Sequence, residues 1–386
     1  MSRNTRATLA MLFVGLAIFS GLYTTQAILP TLVGELGFTP AQAALTVSAA
    51  TGALALCVIP ASILSERFGR GRLLIISALS ASVVGLLVPL MGTNPLALIV
   101  LRGVQGALLA GAPAVAMAWL SEELGGDVLP RAMGLYIAGT SIGGLTGRIV
   151  PATFLDITGW RPALAISALV SLSFAFLSWV LLPAQRNFTP KTLRFASEFR
   201  AMAKHLHSPL LRALYLVPFL AMGSFVSLFN FLSFRLIGHF GLPAALAGSV
   251  FLIYLSGTWS SARAGRFVQR FGYGRTLVTA AAMMFVGTVC TLGPLWLLVL
   301  GVLSFTMGFF AAHSTTSSWI GQAATHDRAE ASSIYVFCYY VGSSVVGALS
   351  GVVFDHAAWS GFVAFIAFFT ALLLGLAIRT SRFSRA

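Results

Sequence analysis

Three ionisable side chains stand where an oily chain should have none. Arg102, Arg148 and His313 each fall inside a long apolar run of a 386-residue sequence that is 58% hydrophobic and only 9% charged. A charge inside such a run costs at least about 2.5 kcal/mol on insertion scales, so it faces a cavity or a partner. An arginine in that position either binds an anion or donates to backbone carbonyls and neighbouring helices. A histidine there can titrate, since an unperturbed imidazole changes charge near pH ~6.5; the alternative is a packing residue with satisfied ring nitrogens. The ten Asp and Glu all avoid the middle of the apolar runs. That absence makes His313 the first candidate for a proton-coupling group and Asp156 the second. Asp156 follows Arg148 by a helical rise of about 12 Å, long for a direct pair.

Other chemistries lack their residues. Cys57, Cys290 and Cys338 sit singly in apolar runs, which gives neither a disulfide framework nor a metal spacing and suits small buried residues. There is no G-x-x-x-x-G-K-[ST] loop for direct ATP use. No His/Asp/Glu or Ser/His cluster suggests an enzyme, and no repeated filter segment suggests a channel. The net charge of +14 is spread in short clusters rather than in one basic domain, which argues against nucleic acid as a partner. No cofactor and no metal are expected.

The elements that must hold these side chains are membrane helices. A soluble domain carries about 25% charged residues, and a membrane helix needs roughly 20 apolar ones. That ruler places twelve segments, near 8–31, 41–64, 73–92, 95–120, 130–154, 161–183, 210–236, 243–264, 275–293, 295–319, 331–354 and 358–379. The first follows Arg3 and Arg6 like a signal peptide but runs on to Pro30, too long for one, so it is expected to stay as a helix. The polar stretch 184–209 divides the chain into 1–183 and 210–386, and its middle, 193–206, is either an amphipathic helix on the membrane surface or a plain linker. With the N-terminus inside, Arg161 and Arg235 are the only basic residues outside, while Arg131, Lys191, Arg194, Arg328 and Arg385 join the inside loops and ends. Cytoplasmic loops carry the basic excess, so both termini are expected in the cytoplasm.

The two halves repeat. ERFGRGRLL (66–74) and QRFGYGRTL (269–277) share six of nine residues. At nearly the same offset Gly37 and Pro40 answer Gly241 and Pro243, and Gly139, Gly144 and Gly147 answer Gly342, Gly347 and Gly351. Parallel repeats of this kind are the layout of a rocking transporter, with its substrate site at the repeat interface. Gly69, Gly71, Gly272 and Gly274 are expected to make tight turns in the two charged loops. Arg67 can reach Glu122 and Glu123, which close the fourth segment on the same side.

Here the residues match a known family. SILSERFGRGR (62–72) resembles the loop signature G-x-x-x-D-R-x-G-R-R of the major facilitator superfamily, with Ser62, Glu66 and Gly71 as departures. Arg102-x-x-Gln105-Gly106 resembles the R-x-x-Q-G signature of its proton-coupled members. YTTQAILP (23–30), GSFVSLFNFLSFRL (223–236), GTWSSARAG (257–265), AAHSTTSSW (311–319) and YVFCYYVGSSVVG (335–347) look like inner-membrane transport proteins of the YnfM type. Gly139, Gly143 and Gly147 fit the antiporter signature G-x-x-x-G-P-x-x-G-G, but Gly144 replaces its proline and Arg148 its last glycine.

The resemblance implies an all-α membrane fold of twelve helices in two pseudo-symmetric six-helix bundles. It implies a bacterial inner-membrane transporter, not an enzyme, a monomer as the functional unit, with the lipid bilayer, a small-molecule substrate and protons as its partners. Export by proton antiport is the first expectation; a sugar or metabolite symporter or uniporter on the same fold is the alternative. Arg102 acquires a proton-linked role beside His313 and Asp156. Tyr23, Gln26, Arg148, Asn230, Arg235, Trp259, Tyr335 and Tyr339 lie on helices that line the family's cavity, and polar tips on aromatic walls suit a partly apolar ligand; helix–helix hydrogen bonding is the alternative for each. Glu66, Arg67, Gly69, Arg70 and Arg72, with Glu122, Glu123, Arg270, Gly272 and Arg275, become a conformational latch; the alternative is topology and lipid phosphate contact.

Overall fold

The apolar runs fold as helices whose ends are set by capping side chains, prolines and left-handed glycines. The computed structural model describes residues 1–91, 94–125, 128–190 and 195–383. Asp127, Lys191, Arg194 and Arg385 lie outside these. No strand occurs among the described residues. The spans are α1 (Arg3–Leu36), α2 (Pro40–Phe68), α3 (Arg70–Leu90), α4 (Pro95–Glu123), α5 (Val128–Thr158) and α6 (Trp160–Leu181). After the linker come α7 (Pro209–Gly238), α8 (244–271), α9 (272–290), α10 (Leu295–Ala323), α11 (Arg328–His356) and α12 (Trp359–Ser381). Ten stretches are long and apolar enough to cross a membrane among the described residues. One of them, Ala244–Cys290, is two helices that meet at Gly272. The twelfth span is α5, whose apolar character is diluted by its glycines, Arg131, Arg148 and Asp156.

Local chemistry explains the ends. Ser2 opens α1 by accepting from the Thr5 amide, Asn94 opens α4 by accepting from the Leu96 and Ala97 amides, and Ser208 opens α7 by accepting from the Leu211 amide; each satisfies donors a helix start leaves bare. The helices run further into the charged loops than the apolar ruler allows, because Glu66, Arg67 and Arg131 continue a helix as readily as leucine does.

The duplicated phrase is a duplicated corner. Gly69 has φ 97° and Gly272 has φ 80°, a left-handed backbone that side chains resist, and each separates two spans. Gly37 and Gly241 form a second pair, at φ 70° and 67°. Gly71 and Gly274, expected in the turns, lie instead inside α3 and α9 and are buried. A Cβ on Gly71 would come 3.0 Å from Trp119 Nε1, so this glycine serves close packing.

Two compact units result. Unit 1 comprises Met1–Phe38, Leu45–Phe195 and the short segment Pro243–Ser249; unit 2 comprises Thr39–Ala44, Ala196–Leu242 and Val250–Ala386. In unit 1, α1 packs against α5 and α6; in unit 2, α7 packs against α11 and α12. The linker helix Phe195–His205 has Met202 and His205 buried. Exposed Ile76, Val83 and Leu87 on α3, and Phe368 and Leu372 on α12, are the apolar surface a lipid-facing helix requires.

Candidate functional site

The site in unit 1 begins with a break in α1. Its first helical piece stops at Leu22, a 3-10 turn spans Gln26–Ile28, and helix resumes over Leu29–Leu36 with Pro30 in its first turn. A broken helix leaves carbonyls without amide partners. Arg102 answers them. Its guanidinium donates to the Gly21 carbonyl at 2.9 Å, to the Leu22 carbonyl and to the Thr46 carbonyl of α2 at 3.1 Å. Gln105 accepts from Arg102 at 2.5 Å and donates to the Ala81 carbonyl of α3 at 3.1 Å. Gly106 completes the phrase, because a Cβ there would sit 2.0 Å from the Ala50 carbonyl oxygen. Arg102, Gln105 and Gly106 thus pin four helices around the break, and every partner of Arg102 is uncharged.

Arg148 is placed by the glycines before it. Gly139, Gly143 and Gly147 lie against α1, where a Cβ would meet the Leu12 carbonyl oxygen at 2.4 Å, that of Leu16 at 2.7 Å and that of Ser20 at 2.3 Å. Such small-residue contacts let two membrane helices touch along their backbones. One residue on, Arg148 Nε donates to Gln26 Oε1 at 2.6 Å, and Nη1 donates to the Gly144 carbonyl at 2.5 Å. Its guanidinium carbon lies 4.0 Å from the centre of the Tyr23 ring, a cation–π contact. Tyr23, Gln26 and Arg148 are all buried. The structure brings these three predicted residues together around a buried cation.

Asp156 lies elsewhere, exposed, with its carboxylate accepting from the Ala245 amide at 3.0 Å within the same unit. That is the geometry of a helix cap. Asp355 does the same in unit 2, accepting from the Ala41 amide at 3.2 Å.

In unit 2, His313 of α10 and Tyr335 of α11 meet, with Tyr335 Oη 2.5 Å from His313 Nδ1 and 3.2 Å from the His313 carbonyl oxygen. The rings of Tyr339 and Phe309 stand 5.1 and 6.2 Å from the imidazole. Phe225, Phe229, Tyr254 and Phe310 continue an aromatic cluster from Phe309, and Asn230 is buried on the adjoining α7. Arg235 does not join this group: it lies in the last turn of α7 beside Phe240 and Trp359, at 5.3 and 5.7 Å, where helix carbonyls favour a cation. Trp259 is 48% exposed and carries Arg263 over its ring at 4.0 Å. A cleft of about 370 Å³ opens at α8 and α10, with Gln269, Tyr273, Ser314, Ser318 and Gln322 in its wall. The sequence carried a signal for it, the polar spacing 314, 318, 322 along one face of α10.

The charged corner is wired differently from the expectation. Arg70, not Arg67, bonds to Glu122 at 2.8 Å, and it also meets Glu66 at 3.4 Å. The left-handed Gly69 turns the chain, so that Arg70 is buried while Arg67 is exposed over Phe68. Glu123 pairs with Arg3 and accepts from the Arg186 and Asn187 amides, both at 2.9 Å. Gln185 accepts from the Gly71 amide at 2.9 Å. One acidic helix end thus gathers the N-terminal segment and the start of the linker. Arg72 is exposed, as are Arg270 and Arg275 at the second corner, where Gln269 stands in the place of Glu66 and no ion pair forms among the described residues.

Similarity to known proteins agrees with this anatomy. The Major Facilitator Superfamily profile matches residues 11–263. The chain is 40% identical to the inner membrane transport protein YnfM of Escherichia coli K12, over 98% of its own length and 91% of that relative's. It is 36% identical to the uncharacterized MFS-type transporter YybF of Bacillus subtilis 168, over 96% of this chain and 92% of that one. Among solved structures, the nucleoside transporter NupG matches with a TM-score of 0.81 over 98% of this chain and 100% of its own, at 13% identity, a likeness of fold. A profile covering most of the chain and a relative matched nearly end to end lead to one conclusion: the chain belongs to the Major Facilitator Superfamily and is a multi-pass membrane transporter.

Proposed function

We propose that this transporter exports small molecules bearing an anionic group in exchange for protons, by alternating access, from the inner membrane of a bacterium with both chain termini in the cytoplasm. The observation that carries the reading is Arg148, a buried guanidinium in an apolar span that donates to Gln26 and to a backbone carbonyl and lies over the Tyr23 ring. Keeping a cation in an apolar span is costly, and Gln26, the Gly144 carbonyl and the Tyr23 ring, all neutral, help to hold it in place. Gly139, Gly143 and Gly147, which fit part of the antiporter signature, support antiport. The excess of arginine in the loops assigned to the inside supports the topology.

His313 and Tyr335 supply the proton site in this reading. With the imidazole neutral, the Tyr335 hydroxyl donates to Nδ1. With it protonated, Nδ1 donates to Oη, and the hydroxyl turns its hydrogen toward the His313 carbonyl, 3.2 Å away. The pair serves both protonation states without moving a heavy atom. Asp156 acts as a helix cap rather than as a titrating group, Arg102 as a pin, and the Glu66–Arg70–Glu122 cluster as the part that holds one conformation.

The test is transport by the purified protein in liposomes, against a panel of anionic, neutral and cationic solutes, with and without an imposed pH gradient. Anionic solutes should be preferred, and Arg148→Ala should cut kcat/KM for them about 30-fold or more, the scale of truncating a buried charged contact. An Arg148→Ala protein that keeps the preference overturns the substrate assignment. Transport that is unchanged when the gradient is dissipated overturns antiport and leaves a uniporter.

A further inference from the structure

The linker helix Phe195–His205 ends on a histidine that the transport mechanism does not use. His205 is 2% exposed, and its ring stacks on that of His326 with centroids 5.1 Å apart and planes 17° from parallel. Asp327 adjoins them, and one ligand atom from each of His205, His326 and Asp327 lies within 4.8 Å of the other two. All three residues belong to unit 2. We propose that these residues bind a divalent transition metal ion of the zinc type, which fastens the linker helix to the loop that opens α11.

Three features prepare the cluster. His205 has Nε2 3.0 Å from the Asp327 carbonyl oxygen. A carbonyl only accepts, so Nε2 is the donor in that bond, and Nδ1 is the nitrogen left to ligate a metal. His326 Nδ1 lies 3.1 Å from the Thr325 hydroxyl, an outer partner that occupies this nitrogen and leaves Nε2 for the metal. Asp327 stands at the N-cap of α11 but makes no capping hydrogen bond with its side chain, and its backbone is left-handed at φ 45°, ψ 49°. An Asp at an N-cap ordinarily has extended backbone and bonds its carboxylate to the helix amides. Here the carboxylate is not spent on the helix, and a costly backbone conformation is retained beside two imidazoles.

The donor set selects the ion. Two imidazole nitrogens and one carboxylate oxygen suit zinc and its neighbours and are poor for magnesium or calcium, which take oxygen. Zinc holds such ligands at about 2.0–2.1 Å, which puts them roughly 3.4 Å from one another in a tetrahedron. An imidazole lone pair lies in its ring plane, so the stacked rings must unstack for both to reach one ion; His326 and Asp327 are exposed and able to turn toward His205. Three protein ligands leave the fourth position to water. The histidines lie 121 residues apart in sequence, so no spacing motif announces the site. The proposal does not depend on the transported substrate.

Untagged full-length protein in detergent, stripped with chelator, should bind one Zn²⁺ per chain in a competition titration with a chromophoric chelator. Co²⁺ should give the intense visible absorption of a tetrahedral complex. His326→Gln alters an exposed side chain, so it should leave the thermal melt of the metal-free protein unchanged while weakening Zn²⁺ at least about 10-fold, the scale on which losing a metal contact is felt; His205→Ala should abolish binding. Added Zn²⁺ should also protect the linker from protease in the wild type and not in His326→Gln. No saturable binding, or the same affinity and the same Co²⁺ spectrum in His326→Gln as in the wild type, overturns the proposal.

Discussion

At the residue scale, the two buried arginines show how one residue type serves two ends. Arg102 spends its donors on the Gly21 and Leu22 carbonyls at the break in α1 and on the Thr46 carbonyl of α2, so removing it leaves buried acceptors bare at about 1–3 kcal/mol each. Arg102→Ala is therefore expected to lower the melting temperature of the purified protein sharply, whereas Arg148→Ala should leave a folded protein that has lost its anion preference; a fluorescence melt beside a transport assay separates the two. The sequence marked both positions, because an arginine in an apolar run must have a partner. It did not distinguish their partners. The break at Tyr23–Thr25 contains no glycine or proline, so no local signal announced the carbonyls Arg102 would serve. Arg70 rather than Arg67 meets Glu122 for a related reason: which arginine faces this acid depends on the direction in which Gly69 turns the chain.

At the scale of elements, the α1–α5 contact is built from absent side chains. Gly147→Ala would drive a methyl group to within 2.3 Å of the Ser20 carbonyl oxygen. Backbone cannot yield as a side-chain tip can, so the helices must part, at about 1–3 kcal/mol. Arg148, next in sequence, would be displaced with them, and anion transport should fall as well as stability. Gly134, on the same helix, has nothing within 4 Å of its would-be Cβ. Gly134→Ala should be neutral or stabilise by up to about 1 kcal/mol, because alanine holds a helix better. Thermal melts of the two variants side by side check the contrast. The spans were legible from length and hydropathy alone, and α5 was found despite its diluted apolar character. Their ends were less so, because charged residues prolong a helix past the apolar stretch that reveals it.

At the scale of the whole molecule, the repeat visible in ERFGRGR and QRFGYGR survives as backbone conformation in Gly69 and Gly272, and in Gly37 and Gly241. The side chains have diverged on it. The first corner carries the Glu66–Arg70–Glu122 cluster, while Gln269 leaves the second without an acid. Glu122→Gln should accordingly shift the balance of conformations, read as a changed rate of cysteine labelling in the corner, whereas Gln269→Ala should not. The short exchanged segments, Thr39–Ala44 in unit 2 and Pro243–Ser249 in unit 1, were not legible, because they are specified by amides meeting Asp355 and Asp156 far along the chain.

The claim on which the mechanism turns is that a proton on His313 drives the export of an anion held at Arg148. Accumulation of an anionic substrate in everted membrane vesicles under an imposed pH gradient, compared between the wild type and His313→Gln and set beside substrate exchange without a gradient, tests it most directly. The expected result is loss of gradient-driven accumulation in His313→Gln with exchange preserved to within about twofold. Accumulation that follows the gradient as well in His313→Gln as in the wild type would contradict it.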